Sequence, residues 1–92
     1  MIITFADKDT KKLSLGLRVK RFESFERVAL RKIRQLEIAS CLDDLRVPPG
    51  NRLELLDGNR KGQYSIRIND QYRLCFNWSD FGARNVEIVD YH

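Results

Sequence analysis

The side chains best suited to chemistry gather near the end of the sequence: Arg73, and the run Asp90-Tyr91-His92. Arginine stays charged and can grip a phosphate through two hydrogen bonds. His92 is the only histidine, and an imidazole takes or gives a proton near neutral pH. Asp90 adds a carboxylate, and Tyr91 a phenol that could stack on a base or position a hydroxyl. Each has a bland alternative. A terminal histidine is usually frayed, Tyr91 can close a sheet edge, and Arg73 can pair with Glu54 or Glu87. Taken together, the four suit metal-free acid–base chemistry. A single histidine excludes a nuclease using two imidazoles, and no acidic cluster suggests a two-metal centre.

These residues need a sheet to hold them. Tyr64, Ile66 and Ile68 alternate with Gln63, Ser65 and Arg67, and Tyr72, Leu74, Phe76 and Trp78 alternate with Arg73, Cys75 and Asn77. Period-2 alternation predicts two half-buried strands, joined by the polar turn Asn69-Asp70-Gln71. That turn sets Ile68 against Tyr72 and Arg67 against Arg73, so the apolar sets share one face and a one-residue slip would expose them all. The same register puts two arginines directly opposite each other. Like charges there are destabilising unless something anionic joins them. The next turn is predicted at Asp80 to Arg84 and a last strand at Val86 to Asp90, with His92 ending the β-prone run.

Ahead of this meander the pattern is helical. Met1 to Phe5 is β-prone and could add a strand. Asp7, Asp9 and Thr10 offer caps for a first helix running to about Leu15 and stopping at Gly16. Glu23 to Ser40 carries an apolar stripe of Phe25, Ala29, Ile33 and Leu36 at helical spacing, and Glu23 is placed to pair with Arg27. Arg27, Arg31 and Arg34 share another face. Two roles fit them: a solvated surface, the usual fate of such runs, or contact with a partner or nucleic-acid backbone. Pro48-Pro49-Gly50-Asn51 breaks the chain before a short strand at Arg52 to Leu56 and a polar turn at Asp57 to Gly62. The expected fold is α+β: an N-terminal strand and two helices packed on a mainly antiparallel sheet, in one domain spanning residues 1–92.

Composition sets outer limits. The chain has 92 residues, 42% apolar and 33% charged, enough for one modest core. Its net charge of +4 is confined to the helical half, where residues 1–46 hold eleven basic against seven acidic side chains. A basic surface favours a polyanion or an acidic protein partner. No apolar run is long enough to span a bilayer, and the N-terminus is unlike a signal peptide, so a cytoplasmic location is expected. Cys41 and Cys75 stand far apart without a CxxC pair and are expected to be packing residues.

The runs PPGNRLELLDGNRKGQYSIRINDQYRLCFNW and NVEIVDYH resemble the HigB branch of the RelE/ParE toxin superfamily, and most of all its GraT-like subgroup. The resemblance covers nearly the whole chain and is most specific in GQYSIRINDQYRLCF and the closing VDYH. It implies the toxin of a type II toxin–antitoxin pair, a RelE-like fold, and a ribosome-dependent endoribonuclease cutting mRNA in the A site without cofactor or metal. It also implies a HigA-like helix-turn-helix antitoxin, with operator DNA reached only through that antitoxin, and no membrane. By position, Arg73 would bind phosphate, and Asp90, Tyr91 and His92 would form the catalytic end. Asp57 stands where the family often carries lysine, so Arg60, Lys61 and Arg67 are the candidate RNA-binding cations. Two other readings remain: a ParE-like gyrase poison, which would not need His92, and a binding module served by the basic helices alone.

Overall fold

A computed structural model describes residues 1–90 of the chain; Tyr91 and His92 lie outside the described residues. Helix α1 (Lys8–Ser14) and helix α2 (Glu26–Ile38) pack on one face of a four-stranded antiparallel sheet in the order β1 (Glu54–Leu55), β2 (Tyr64–Arg67), β3 (Tyr72–Ser79) and β4 (Gly82–Asp90). Among the described residues, no helix is long and apolar enough to cross a membrane.

Local chemistry explains the helix boundaries. Asp7 is extended and its carboxylate accepts from the Thr10 amide, capping α1, while Gly16 takes the left-handed conformation just beyond its end. The second helix starts later than its apolar stripe suggested. Lys20–Phe25 forms 3₁₀ turns, which place Phe22 and Phe25 above each other and bury both before α2 begins. Glu23 is therefore not on the helix, and Glu26 pairs instead with Arg18 at 3.1 Å.

The stripe meets the sheet as expected. Phe22, Ala29, Ile33 and Leu36 close over Ile66, Leu74, Phe76, Val86 and Ile88. Phe25 stacks on Tyr72 with ring centroids 4.3 Å apart. Thr10 is fully buried and its hydroxyl accepts from the Ile88 amide, which fastens α1 to β4.

The N-terminal segment does join the sheet, but as two isolated parallel bridges to β4, Ile2 to Ala83 and Phe5 to Val86, rather than a continuous strand. The interruption lies at Asn85, whose φ of 54° breaks the ladder. There the β3–β4 register shifts, and the Asn85 amide turns to the Thr4 hydroxyl at 2.9 Å. Strand β4 thus begins at Gly82, earlier than the predicted Val86, because pairing resumes on the far side of the bulge. Gly82 is required for this closure: a Cβ there would lie 2.3 Å from the Met1 carbonyl oxygen.

Candidate functional site

Turning at Asn69 to Gln71 sets the geometry of the site. The Asn69 side chain accepts from the amides of Gln71 and Tyr72, closing the hairpin. The resulting register pairs Arg67 with Arg73 and Ile66 with Leu74, as expected from the sequence. On the face away from the helices, one cross-strand row reads Arg67, Arg73, Val89, and the next reads Glu54, Ser65, Cys75, Glu87.

The two opposed arginines avoid each other by turning apart. Arg67 reaches back to Asp70 in the hairpin turn. Arg73 folds over β2, where its Nε donates to the Ser65 hydroxyl at 2.6 Å and Nη2 donates to the Arg52 carbonyl at 2.6 Å. Glu54 stands at the limit of ion pairing, 4.0 Å from Nη2. The carboxylate partner that the structural alternative called for is thus marginal, and oxygens of a hydroxyl and a carbonyl hold Arg73 instead. Such bonding leaves the positive charge in place. Only 11% of the Arg73 side chain is exposed, and Nη1 is the one guanidinium nitrogen without a hydrogen-bond partner among the described residues.

Beneath the guanidinium lie Ser65 and Cys75, both fully buried. Burial pushes the Cys75 thiol up to about 11, against the pull of Arg60 and Arg73 and helped by Glu87. The thiol stays protonated at neutral pH and is no nucleophile. Cys75 lies in the ladder between Ser65, which Arg73 bonds, and Glu87, which Arg60 pairs with, so both guanidiniums bear on one cross-strand row. Arg60 is held there by Gln63 at 3.0 Å and Glu87 at 3.2 Å. Beside it opens a shallow groove of about 500 Å³ lined by Asn59, Arg60, Lys61, Gln63 and Asn77. Asp57 is exposed at the start of this turn and makes no ion pair among the described residues.

Asp90 stands elsewhere. It lies opposite Tyr72 in the ladder, so it shares the helix-facing side with Leu74 and Ile88, and accepts from Gln71 Nε2 at 3.0 Å. Arg73 instead faces Val89. Structure therefore brings Arg73, Arg60 and Arg67 onto one face and sets Asp90 at the strand end, on the other side of the sheet. The expectations for Tyr91 and His92 fall outside the described residues.

Several polar residues at the site escaped the sequence reading. Ser65 looked like an ordinary outward strand residue, and a main-chain acceptor such as the Arg52 carbonyl carries no signature. Lys32 is buried at 8% exposure and Asn51 at 0%. Lys32 did carry a signal: it falls within the apolar stripe, three residues after Ala29 and four before Leu36. Of the two cysteines, Cys75 is the packing residue expected, but Cys41 is exposed and begins a 3₁₀ turn with Asp44. The Asp44 carboxyl is lowered by the amide of Ser40 foremost, then by the Cys41 side chain and amide.

Residues 5–92 match the family described as RelE-like toxin of type II toxin-antitoxin system HigB. Toxin HigB-1 of Vibrio cholerae is 53% identical over 63 residues, which make up 68% of this chain and 66% of that protein. The chain thus spans just under two thirds of this curated relative's length. A YoeB–YefM complex from Staphylococcus aureus superposes with a TM-score of 0.63 at 24% identity, covering 100% of this chain and 95% of the other. A heterotetrameric YoeB–YefM toxin–antitoxin complex from the same organism gives 0.58 at 24% identity, covering 100% and 95%. At that identity the likeness to the solved structures is one of fold.

Proposed function

Since the chain belongs to the HigB family of RelE-like toxins of type II toxin–antitoxin systems, we propose that it is an endoribonuclease cutting mRNA in the ribosomal A site. The observation that carries this reading is the bonding of Arg73. A guanidinium pinned by neutral oxygens at Ser65 and Arg52, with Nη1 left over among the described residues, is a fixed positive charge ready for an anion. Such preorganised charge is what a phosphorane-like transition state needs. Lys61, with Arg60 and Arg67 once RNA phosphate displaces their partners Glu87 and Asp70, extends the cationic surface for the RNA backbone, compensating for Asp57.

The chemistry follows from these parts. The ribose 2′-hydroxyl attacks the adjacent phosphorus, forming the O2′–P bond and breaking the P–O5′ bond. A base takes the 2′ proton and an acid protonates the departing 5′ oxygen, giving a 2′,3′-cyclic phosphate and a free 5′-hydroxyl. Arg73 stabilises the charge that builds on the phosphate oxygens. His92 and Asp90 handle the protons, and Tyr91 orients the nucleotide. Because Asp90 sits across the sheet from Arg73, the substrate must bend around the end of β3 and β4 to meet both. No metal enters this scheme.

The proposed setting is cytoplasmic, with residues 1–92 forming one toxin domain. The toxin–antitoxin complex among the structural neighbours supports an antitoxin as partner. We take it to be a HigA-like helix-turn-helix protein that carries the complex to operator DNA. The deciding experiment programs purified ribosomes with a defined mRNA, with and without EDTA where ribosome integrity permits. Wild type should cut within the A-site codon, whereas Arg73→Ala and a chain lacking His92 should not. Growth arrest without cleavage would move the function to gyrase poisoning or to a binding role.

A further inference from the structure

Lys32 is an anomaly in the core. It projects from α2 into a buried position, and no carboxylate pairs with it among the described residues. Burial lowers its pKa, and the neighbouring Arg31 and Arg67 lower it further. An apolar side chain would fill the same space without that cost. Its one hydrogen-bond partner among the described residues is Asn51, whose Oδ1 accepts from Nζ at 2.5 Å.

Asn51 is itself fully enclosed and satisfied on every side. Its Nδ2 serves Gln35 at 3.0 Å, the Leu45 carbonyl at 3.1 Å and the Val47 carbonyl at 3.4 Å. The side chain therefore clamps the loop from Leu45 to Asn51 against α2. The next residue, Arg52, is left-handed, with φ 46° and ψ 59°. That conformation, uncommon for a residue other than glycine, turns the Arg52 carbonyl onto Arg73 Nη2 at 2.6 Å. A continuous run of bonded groups thus leads from Lys32 to the guanidinium.

We propose that Lys32 is a positioning residue: through Asn51 and the left-handed Arg52 it holds the carbonyl that aims Arg73, without touching RNA. Its catalytic consequence rests on the nuclease reading; the geometric claim does not. A lysine that merely stabilised the loop would leave Arg73 fixed in any variant that still folds. Loss of the clamp frees the carbonyl, and among the described residues the guanidinium then keeps only Ser65 and the marginal Glu54.

The test follows the Arg73 Nε–H directly by NMR in the ¹⁵N-labelled full chain, the signal being identified by its loss in Arg73→Lys. Bonded to a buried hydroxyl, it should be well dispersed and slow to exchange with water. Lys32→Met should speed that exchange at least about tenfold, while the amides of Ile66 and Leu74 stay unchanged. Arg52→Val, at an exposed position and disfavouring the left-handed conformation, should do the same, whereas Arg52→Gly should not. An unchanged Nε–H in folded Lys32→Met, or in Arg52→Val, overturns the proposal. Should Lys32→Met fail to fold, the Arg52 pair still decides whether the carbonyl holds Arg73. In the ribosome assay, Lys32→Met should slow single-turnover cleavage about tenfold with half-saturation unchanged, as expected of misorientation. A wild type that cuts nothing sinks the nuclease reading and leaves the NMR result to judge the positioning.

Discussion

The two faces of the β2–β3–β4 sheet are built from one alternating pattern, yet they solve different problems. Toward the helices, Ile66, Leu74, Phe76 and Ile88 are buried by apolar neighbours, and shape does the work. On the other face Ser65 and Cys75 are just as buried, but their cover is the charged side chains of Arg73, Arg60 and Glu87. Low exposure on the first face means core; on the second it means a floor under fixed charges. The lesson is that burial alone does not separate stability from chemistry. What covers the residue does.

The contrast can be broken by substitutions on either face. The largest expected effect is Phe76→Ala, whose cavity should cost about 3–5 kcal/mol and lower the urea midpoint without a specific catalytic signature. Arg73→Ala should act the other way. Cleavage should fall roughly 10²–10³-fold, as for a lost transition-state donor, while the fold survives the loss of a bond to Ser65 worth about 1 kcal/mol. Arg73→Lys should not rescue, since an ammonium lacks the fork that reaches both oxygens. If Arg73→Ala unfolds the chain, or if it cleaves normally, the polar face is only structural.

Smaller effects sharpen the same distinction. Cys75 should resist alkylation in the native protein at neutral pH, while exposed Cys41 reacts, so mass spectrometry should find a single modified thiol until denaturant is added. Raising pH tests the floor as well. The Cys75 thiol is shifted from an ordinary 9.0 to about 11 in the folded chain. Its neutral form is thus favoured by folding, a contribution fully present below pH 9 and lost as pH climbs toward 11. Denaturation followed across that window should show falling stability in wild type and a shallower fall in Cys75→Ala. The smallest change expected is Asp57→Lys, at an exposed turn position outside the core. It should maintain or modestly raise cleavage at low salt and leave the melting temperature within about 2–4 °C, as surface changes usually do. A large loss would give Asp57 a role of its own.

Much of this was written in local pattern. Period-2 alternation and a three-residue polar turn determined the β2–β3 register, and with it the opposition of Arg67 and Arg73. The caps at Asp7 and Gly16 determined α1, and Ala29, Ile33 and Leu36 determined α2 and its buried side though not its start, because backbone satisfaction and helical spacing act over a few residues. Tertiary structure decided the rest. Whether Arg73 would take a carboxylate or neutral oxygens depended on Arg52, twenty-one residues away in sequence, being turned left-handed by the Asn51 clamp. Which β3 residue Asp90 would oppose depended on the β3–β4 register beyond the bulge at Asn85, which no alternation within one strand reveals. Lys32 could be seen as a cation in an apolar stripe, but its partner came from a loop that only the packed chain brings against α2. Sequence by itself determined what bonds over a few residues; the aim of the charged groups came from contacts that exist only once the chain has closed.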